Sequence, residues 1–165
     1  MTIKQIRRWA AAVAAICLLT LFLPLYGMTA FAATARIAFS DPTASVGSEI
    51  NVKMKITSSD NLSTADIMLA YDPGSLEFIE GTNAEGGNGA VRVHGDGGGA
   101  NTTTLAYDLK FKASAAGTSK ITVTSQEIYD ASSQIVTVDK QGESQVTVSA
   151  LSSASKDATL KSLQV

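Results

Sequence analysis

Residues Glu49–Thr57 read EINVKMKIT. Ile50, Val52, Met54 and Ile56 fall on one side of an extended chain, and Asn51, Lys53 and Lys55 fall on the other. Successive side chains of a strand point to opposite faces, so this period of two describes a strand with one face in a core and the other in water. The pattern recurs in both directions. Arg36–Ser40 offers Ile37 and Phe39 to a core; Ser63–Tyr71 offers Ala65, Ile67, Leu69 and Tyr71, with Thr64, Asp66, Met68 and Ala70 outward. Leu76 and Phe78 form a short strand, and so do Val91 and Val93 within Ala90–His94. Thr103–Ala113 turns Leu105, Tyr107, Leu109 and Phe111 inward, and Ala106, Asp108, Lys110 and Lys112 outward. Ile121 with Val123, Val136 with Val138, and Val146 with Val148 complete the set. No long window after the N-terminal segment has a helical period. Many short strands separated by turn residues predict an all-β fold: an antiparallel jelly-roll β-sandwich of about nine strands.

The punctuation agrees. In Tyr71-Asp72-Pro73-Gly74, Pro73 fixes its own φ and pushes Asp72 away from helix, while the Asp72 carboxylate can cap the turn. Eight glycines lie between Gly81 and Thr104, which predicts two loops flanking an edge strand at Ala90–His94.

The chain has 165 residues, enough for one domain and little more. Residues 1–32 are predicted to be a signal peptide. Lys4, Arg7 and Arg8 precede an apolar run from Trp9 to Leu25, Pro24 and Gly27 interrupt it, and Ala30-Phe31-Ala32 has the small-x-small form of a cleavage site. The rival reading is an uncleaved membrane anchor, because Trp9–Phe31 is long enough to span a bilayer. Either way residues 33–149 form the exported domain, and the protein is secreted, extracellular or displayed on a cell surface. Ala150–Ser155 is a Ser/Ala linker, and Lys156–Val165 begins a new apolar alternation, the expected start of a second module.

Processing removes Cys17 and Trp9, leaving no thiol or disulfide, and one histidine, His94. It also removes three cations from a chain of net charge −2 and leaves about −5, so nucleic acid is not an expected partner. Neither metal nor cofactor is expected. His94 with Asp96 lacks a nucleophile or a pocket, Glu77 and Glu80 are not placed across a cleft, and Gly97-Gly98-Gly99 precedes no helix. Gly86-Gly87-Asn88-Gly89 is similar to the calcium-binding pattern G-G-x-G-x-D, but Val91 stands where the aspartate is needed. The residues argue against an enzyme and for a binding module.

Three stretches carry a resemblance: Ala44-Ser45-Val46-Gly47-Ser48 before the Glu49–Thr57 strand, Ala65-Asp66-Ile67 leading into Tyr71-Asp72-Pro73-Gly74-Ser75-Leu76-Glu77-Phe78, and Leu105–Ala113 followed by Ala116-Gly117-Thr118. With Val136-Thr137-Val138 and Gln145–Val148 as closing strands, residues 35–149 resemble a cohesin domain, the dockerin-binding module of cellulosome-type scaffoldins and bacterial surface proteins. The segment between Glu80 and Ala90 is shorter than in a typical cohesin. Residues 156–165 resemble the start of a cadherin-like β-sandwich repeat. The resemblance implies that a dockerin helix is received on a sheet face formed by the third, fifth, sixth and eighth strands. Its outward residues here would be Thr64, Asp66 and Met68, then Arg92 and His94, then Ala106 and Asp108. Of these, Asp66 alone stands on a motif position; the rest follow from alternation. The alternative is a carbohydrate-binding module of the same sandwich type, with a polysaccharide as partner. Sugar faces rely on stacked aromatics, and Phe39, Tyr71, Phe78, Tyr107 and Phe111 all point inward by alternation, leaving Tyr129 as the one candidate platform.

The small residues at Ala30 and Ala32 predict an exported protein that begins at Ala33. Intact mass of the exported protein checks this: a retained Met1–Ala32 segment would mean a membrane anchor.

Overall fold

The computed structural model describes residues 32–96 and 101–151. The expected signal segment (apart from Ala32), the Gly97–Gly99 run and the C-terminal module start lie outside the described residues. The described residues form eleven strands: β1 (Thr34–Phe39), β2 (Thr43–Ser45), β3 (Glu49–Ser58), β4 (Leu62–Tyr71), β5 (Leu76–Gly81), β6 (Ala84–Gly87), β7 (Ala90–Asp96), β8 (Thr104–Ala113), β9 (Gly117–Asp130), β10 (Thr137–Gln141) and β11 (Glu143–Ser149). Hydrogen bonding joins them in the order β10-β1-β3-β8-β5-β6-β7-β4-β9-β11-β2. This ladder curls on itself, so that its two halves share one core. Val52, Met54, Leu109 and Phe111 enter from one half, and Ile67, Leu69, Val93 and Ile121 from the other. The result is the expected all-β jelly-roll sandwich.

Alternation accounts for the core strand by strand. Ile50, Val52, Met54 and Ile56 are buried as the opening stretch requires, and β3 pairs with β8 through nine consecutive residue pairs from Glu49↔Lys112 to Thr57↔Thr104. Phe111 is fully buried, with Tyr71 and Phe78 packed edge-on against it at 5.2 and 5.4 Å between ring centres. Those T-shaped contacts fasten the ends of β4 and β5 to β8. The Tyr71-Asp72-Pro73-Gly74 turn is capped as expected: Asp72 accepts from the Gly74 N–H and from the Ser75 hydroxyl, and these bonds hold its carboxyl below the ordinary value, the Ser75 bond most of all.

Three expectations need correction. The strand count omitted β2 and β6. β7 is not an edge strand, because β6 covers one side of it and β4 the other. The sandwich is not antiparallel throughout either: β1 pairs with β10 in parallel, and β2 pairs with β11 in parallel. The β6–β7 turn is Asn88-Gly89, with φ of 52° and 96°. Two successive left-handed residues make the tight turn whose twist matches a hairpin, and Asn-Gly is the pair that tolerates it best.

The first and last strands cross between the two layers together. β1 and β10 lie side by side in one half, and β2 and β11 in the other. The crossing is pinned by polar contacts: the Gly142 N–H donates to the Ile37 carbonyl at 2.8 Å, the Ser144 hydroxyl to the Ser40 carbonyl at 2.6 Å, and the Gln145 N–H to the Asp41 carboxylate at 2.8 Å. A Cβ on Gly142 would stand 2.9 Å from the Ile37 carbonyl oxygen, so the backbones touch here.

Gly142→Val is therefore expected to destabilise the domain by about 1–3 kcal/mol through overpacking. Urea unfolding checks it, and an unchanged midpoint would show that the crossing tolerates a side chain.

Candidate partner-binding face

The outer surface of β6-β7-β4-β9 is built by the alternation that fills the core. With Ala65, Ile67 and Leu69 buried, β4 turns Thr64, Asp66 and Met68 outward; with Val91 and Val93 buried, β7 turns Arg92 and His94 outward. Pairing sets these side chains in rows across the sheet: Arg92 beside Met68 beside Ser125, His94 beside Asp66 beside Glu127, and Asp96 beside Thr64 beside Tyr129.

Asp66 is the centre of the face. Arg92 grips its carboxylate with two bonds, Nε to Oδ1 at 3.0 Å and a shorter one from Nη2 to Oδ2. His94 Nδ1 stands 3.6 Å from the same Oδ2, and Glu85 on β6 reaches the other side of Arg92 at 3.9 Å. The Arg92 bonds hold the Asp66 carboxyl below its ordinary value and raise the Arg92 guanidinium. A bidentate Arg–carboxylate pair fixes both side chains in one plane and adds geometric specificity. Around it stand His94, Glu85 and Glu127, with one adaptable apolar side chain, Met68.

The opposite surface differs. On β3, β8 and β5, Glu49 faces Lys112, Lys53 faces Asp108, Glu77 faces Lys112 and Glu80 faces Lys110, the last pair joined at 2.6 Å. Opposite charges directly across a ladder stabilise the pairing of strands. Of these pairs, Glu80 with Lys110 closes to an ion pair.

Ala106 and Asp108 belong to this second surface, where they face Lys55 and Lys53. The expectation that they share a face with Asp66 is corrected. Its cause is β6: consecutive strands of a jelly roll largely alternate between layers, so one uncounted strand sends the next long one to the wrong layer. Counted with β6, the third, fifth, sixth and eighth places fall on β4, β6, β7 and β9, which are contiguous in the sheet. The structure thus brings together Thr64, Asp66, Met68, Arg92 and His94.

It also adds Glu85, Ser125 and Glu127, which sequence reasoning missed, and puts Tyr129 beside them. The apolar alternation of β9 lapses over Thr124-Ser125-Gln126-Glu127, all exposed, because the register shifts between Met68 and Leu69 and the Thr124 hydroxyl turns back onto the Met68 carbonyl. A bulge inserts an extra residue and breaks the period that reveals a strand.

No family model matches the chain, and no curated protein does. Solved structures do. A non-cellulosomal cohesin from the archaeon Archaeoglobus fulgidus superposes with a TM-score of 0.61 at 19% identity, over 76% of this chain and 97% of its own. The sixth cohesin of Acetivibrio cellulolyticus scaffoldin B, solved in complex with a dockerin, gives 0.61 at 17% identity, over 70% and 99%. The OlpA cohesin of Clostridium thermocellum, also solved with a dockerin, gives 0.61 at 17%, over 70% and 99%. The fold is that of a cohesin.

The Asp66–Arg92 pair has a definite pH signature. A carboxyl depressed in the folded state contributes stability that is complete above its unfolded value, 3.8, and is lost as pH falls through the lower folded value. Arg92→Ala should therefore raise the Asp66 titration toward 3.8 in carboxyl NMR. The stability gap between variant and parent should be larger at about pH 7 than at about pH 2. A gap of equal size at both would show that Arg92 acts by packing.

Proposed function

We propose that this chain is a non-catalytic, extracellular interaction module that binds a dockerin-bearing protein of a polysaccharide-degrading or cell-surface assembly through the outer face of β6-β7-β4-β9. The observation that carries the reading is the contrast between the two surfaces of one sandwich. On the β3-β8-β5 surface opposite charges are spread along the ladders and one pair, Glu80–Lys110, closes at 2.6 Å, whereas on the β6-β7-β4-β9 surface the charges converge on Asp66, gripped by Arg92 with His94 and Met68 beside it. A sheet face with one charge pair of fixed geometry, an apolar Met68 beside it and polar groups around them suits a helical partner. The cohesin fold supports the same reading, since cohesins of this fold have been solved with dockerins seated on them. Domain limits at 33 and 149, with a signal peptide before and a further module after, belong to this proposal.

Within it, Asp66 has two tasks. Its carboxylate aims Arg92, and its remaining lone pairs accept hydrogen bonds from hydroxyls or a helix N-terminus of the partner. Met68 supplies apolar contact that adapts to the partner's shape.

Titration calorimetry against a panel of dockerins tests the proposal. Asp66→Ala and Met68→Asp should each weaken a cognate dockerin by about 1–3 kcal/mol, while Lys53→Ala on the opposite surface should change binding by less than about 0.5 kcal/mol. The reverse ranking, or binding to soluble glycans through Tyr129 with every dockerin ignored, would sink it.

A further inference from the structure

The second half of β9 has a partner on one side only. β4 runs along one edge as far as Asp130, but β11 leaves the other edge after Thr122, where it pairs with Glu143. From there the preceding chain departs: β10 crosses to the other layer and pairs with β1. It rejoins β9 only at Tyr129, by a bridge to Ile135, where the Val136 N–H donates to the Ile128 carbonyl at 2.8 Å. At the near end, the Gln141 side-chain amide caps the Val123 carbonyl at 2.7 Å, doing for one rung what a strand would do. Between these two plugs, among the described residues, no strand lies against Thr124–Glu127 on that edge. A groove of about 370 Å³ opens there, lined by Gln126, Glu127, Ile128, Tyr129 and residues 135–138.

Three features define what fits. First, an unpaired strand edge presents backbone donors and acceptors at strand spacing, which another extended chain can satisfy. The open stretch from Thr124 to Glu127 is about 13 Å long, about four residues of partner at ~3.3 Å each. Second, Ile135 is 70% exposed beside the half-buried Tyr129, an apolar wall where a large aliphatic side chain is otherwise costly to leave in water. Third, Glu127 is exposed at the same groove and makes no ion pair among the described residues. Its charge opposes pairing with a second copy, since edge-to-edge contact about Gln126 would bring two Glu127 carboxylates close together.

We propose that this groove is a second interaction site, taking an extended peptide that adds a strand to β9, sets an apolar side chain against Ile135 and Tyr129, and pairs a lysine or arginine with Glu127. The site stands on backbone pairing and does not depend on the dockerin reading of the neighbouring face.

Panning a phage library of random dodecapeptides on the full chain tests it, with counter-selection on Ile135→Asp, a change at an exposed position that leaves the core untouched. Selected peptides should alternate apolar residues with lysine or arginine. They should lose at least about tenfold in affinity on Ile135→Asp and on Glu127→Lys, and should slow amide exchange at Gln126 and Ile128. Met68→Asp should leave their binding unchanged whatever it does to dockerins, which separates this site from the β4 face. Peptides that bind Ile135→Asp equally well overturn the proposal. So does protection confined to β4 and β7, or a groove that yields no peptide but takes cellohexaose or xylohexaose against Tyr129.

Discussion

The two ends of the domain hold each other. β1 and β10 run parallel in one layer, β2 and β11 run parallel in the other, and both chains change layers at the same place, where Gly142 meets the carbonyl of Ile37. The other ladders are antiparallel, and the longest-range of them, β4 with β9, reaches from Leu62 to Asp130. These two seams instead join segments about a hundred residues apart, so they can form only when the whole chain has come together. Closure at the crossing also dictates where closure fails. A last strand that must reach β1 in one layer and β9 in the other cannot cover the middle of β9, and the groove at Gln126 is the remainder.

The same division of strands explains why the two surfaces differ in character. β3 and β8, paired along their length, put charged side chains of opposite sign directly opposite one another at Glu49 with Lys112 and Lys53 with Asp108. β4 is flanked by a bulged strand and by a short glycine-containing hairpin, and its outward residues are short, apart from Met68. Arg92 and Asp66 are the exception, and their mutual grip leaves the β4 surface with a charge pair of fixed orientation. Exposed ion pairs contribute little to stability, so the orientation of this one matters more for what meets it than for the fold.

Much of the fold was legible because one period governs it. Wherever apolar residues alternate over a long strand, as at Ile50–Ile56 or Leu105–Phe111, burial follows the sequence residue by residue. Where strands are too short to show a period, as in Thr43–Ser45 and Ala84–Gly87, the apolar signal is silent. Asn88-Gly89 was the available clue to the second of these, since that pair marks a two-residue hairpin turn whatever surrounds it. Its company of glycines, read as loop or as a failed calcium motif, hid it. The cost fell on the site: Thr64, Asp66, Met68, Arg92 and His94 converge as alternation and pairing require, while Ala106 and Asp108 went to the wrong layer by a count of one. Glu127 was hidden by a bulge, and a pattern of side chains cannot reveal a backbone edge left open.

The parallel arrangement of the terminal strands bears on how the domain meets a pull. Thr34 opens the first segment at one end of the seam and Ser149 closes the last at the other, so tension between them runs along the strands. The two seams, Thr34–Ile37 against Thr137–Gln141 and Thr43–Ser45 against Thr147–Ser149, are then loaded in shear. Their hydrogen bonds must yield together instead of opening one after another as a hairpin peeled from its end would. A module strung between tethers would resist force through that geometry, with no disulfide to help it, and would fail by sliding its first strand past its last.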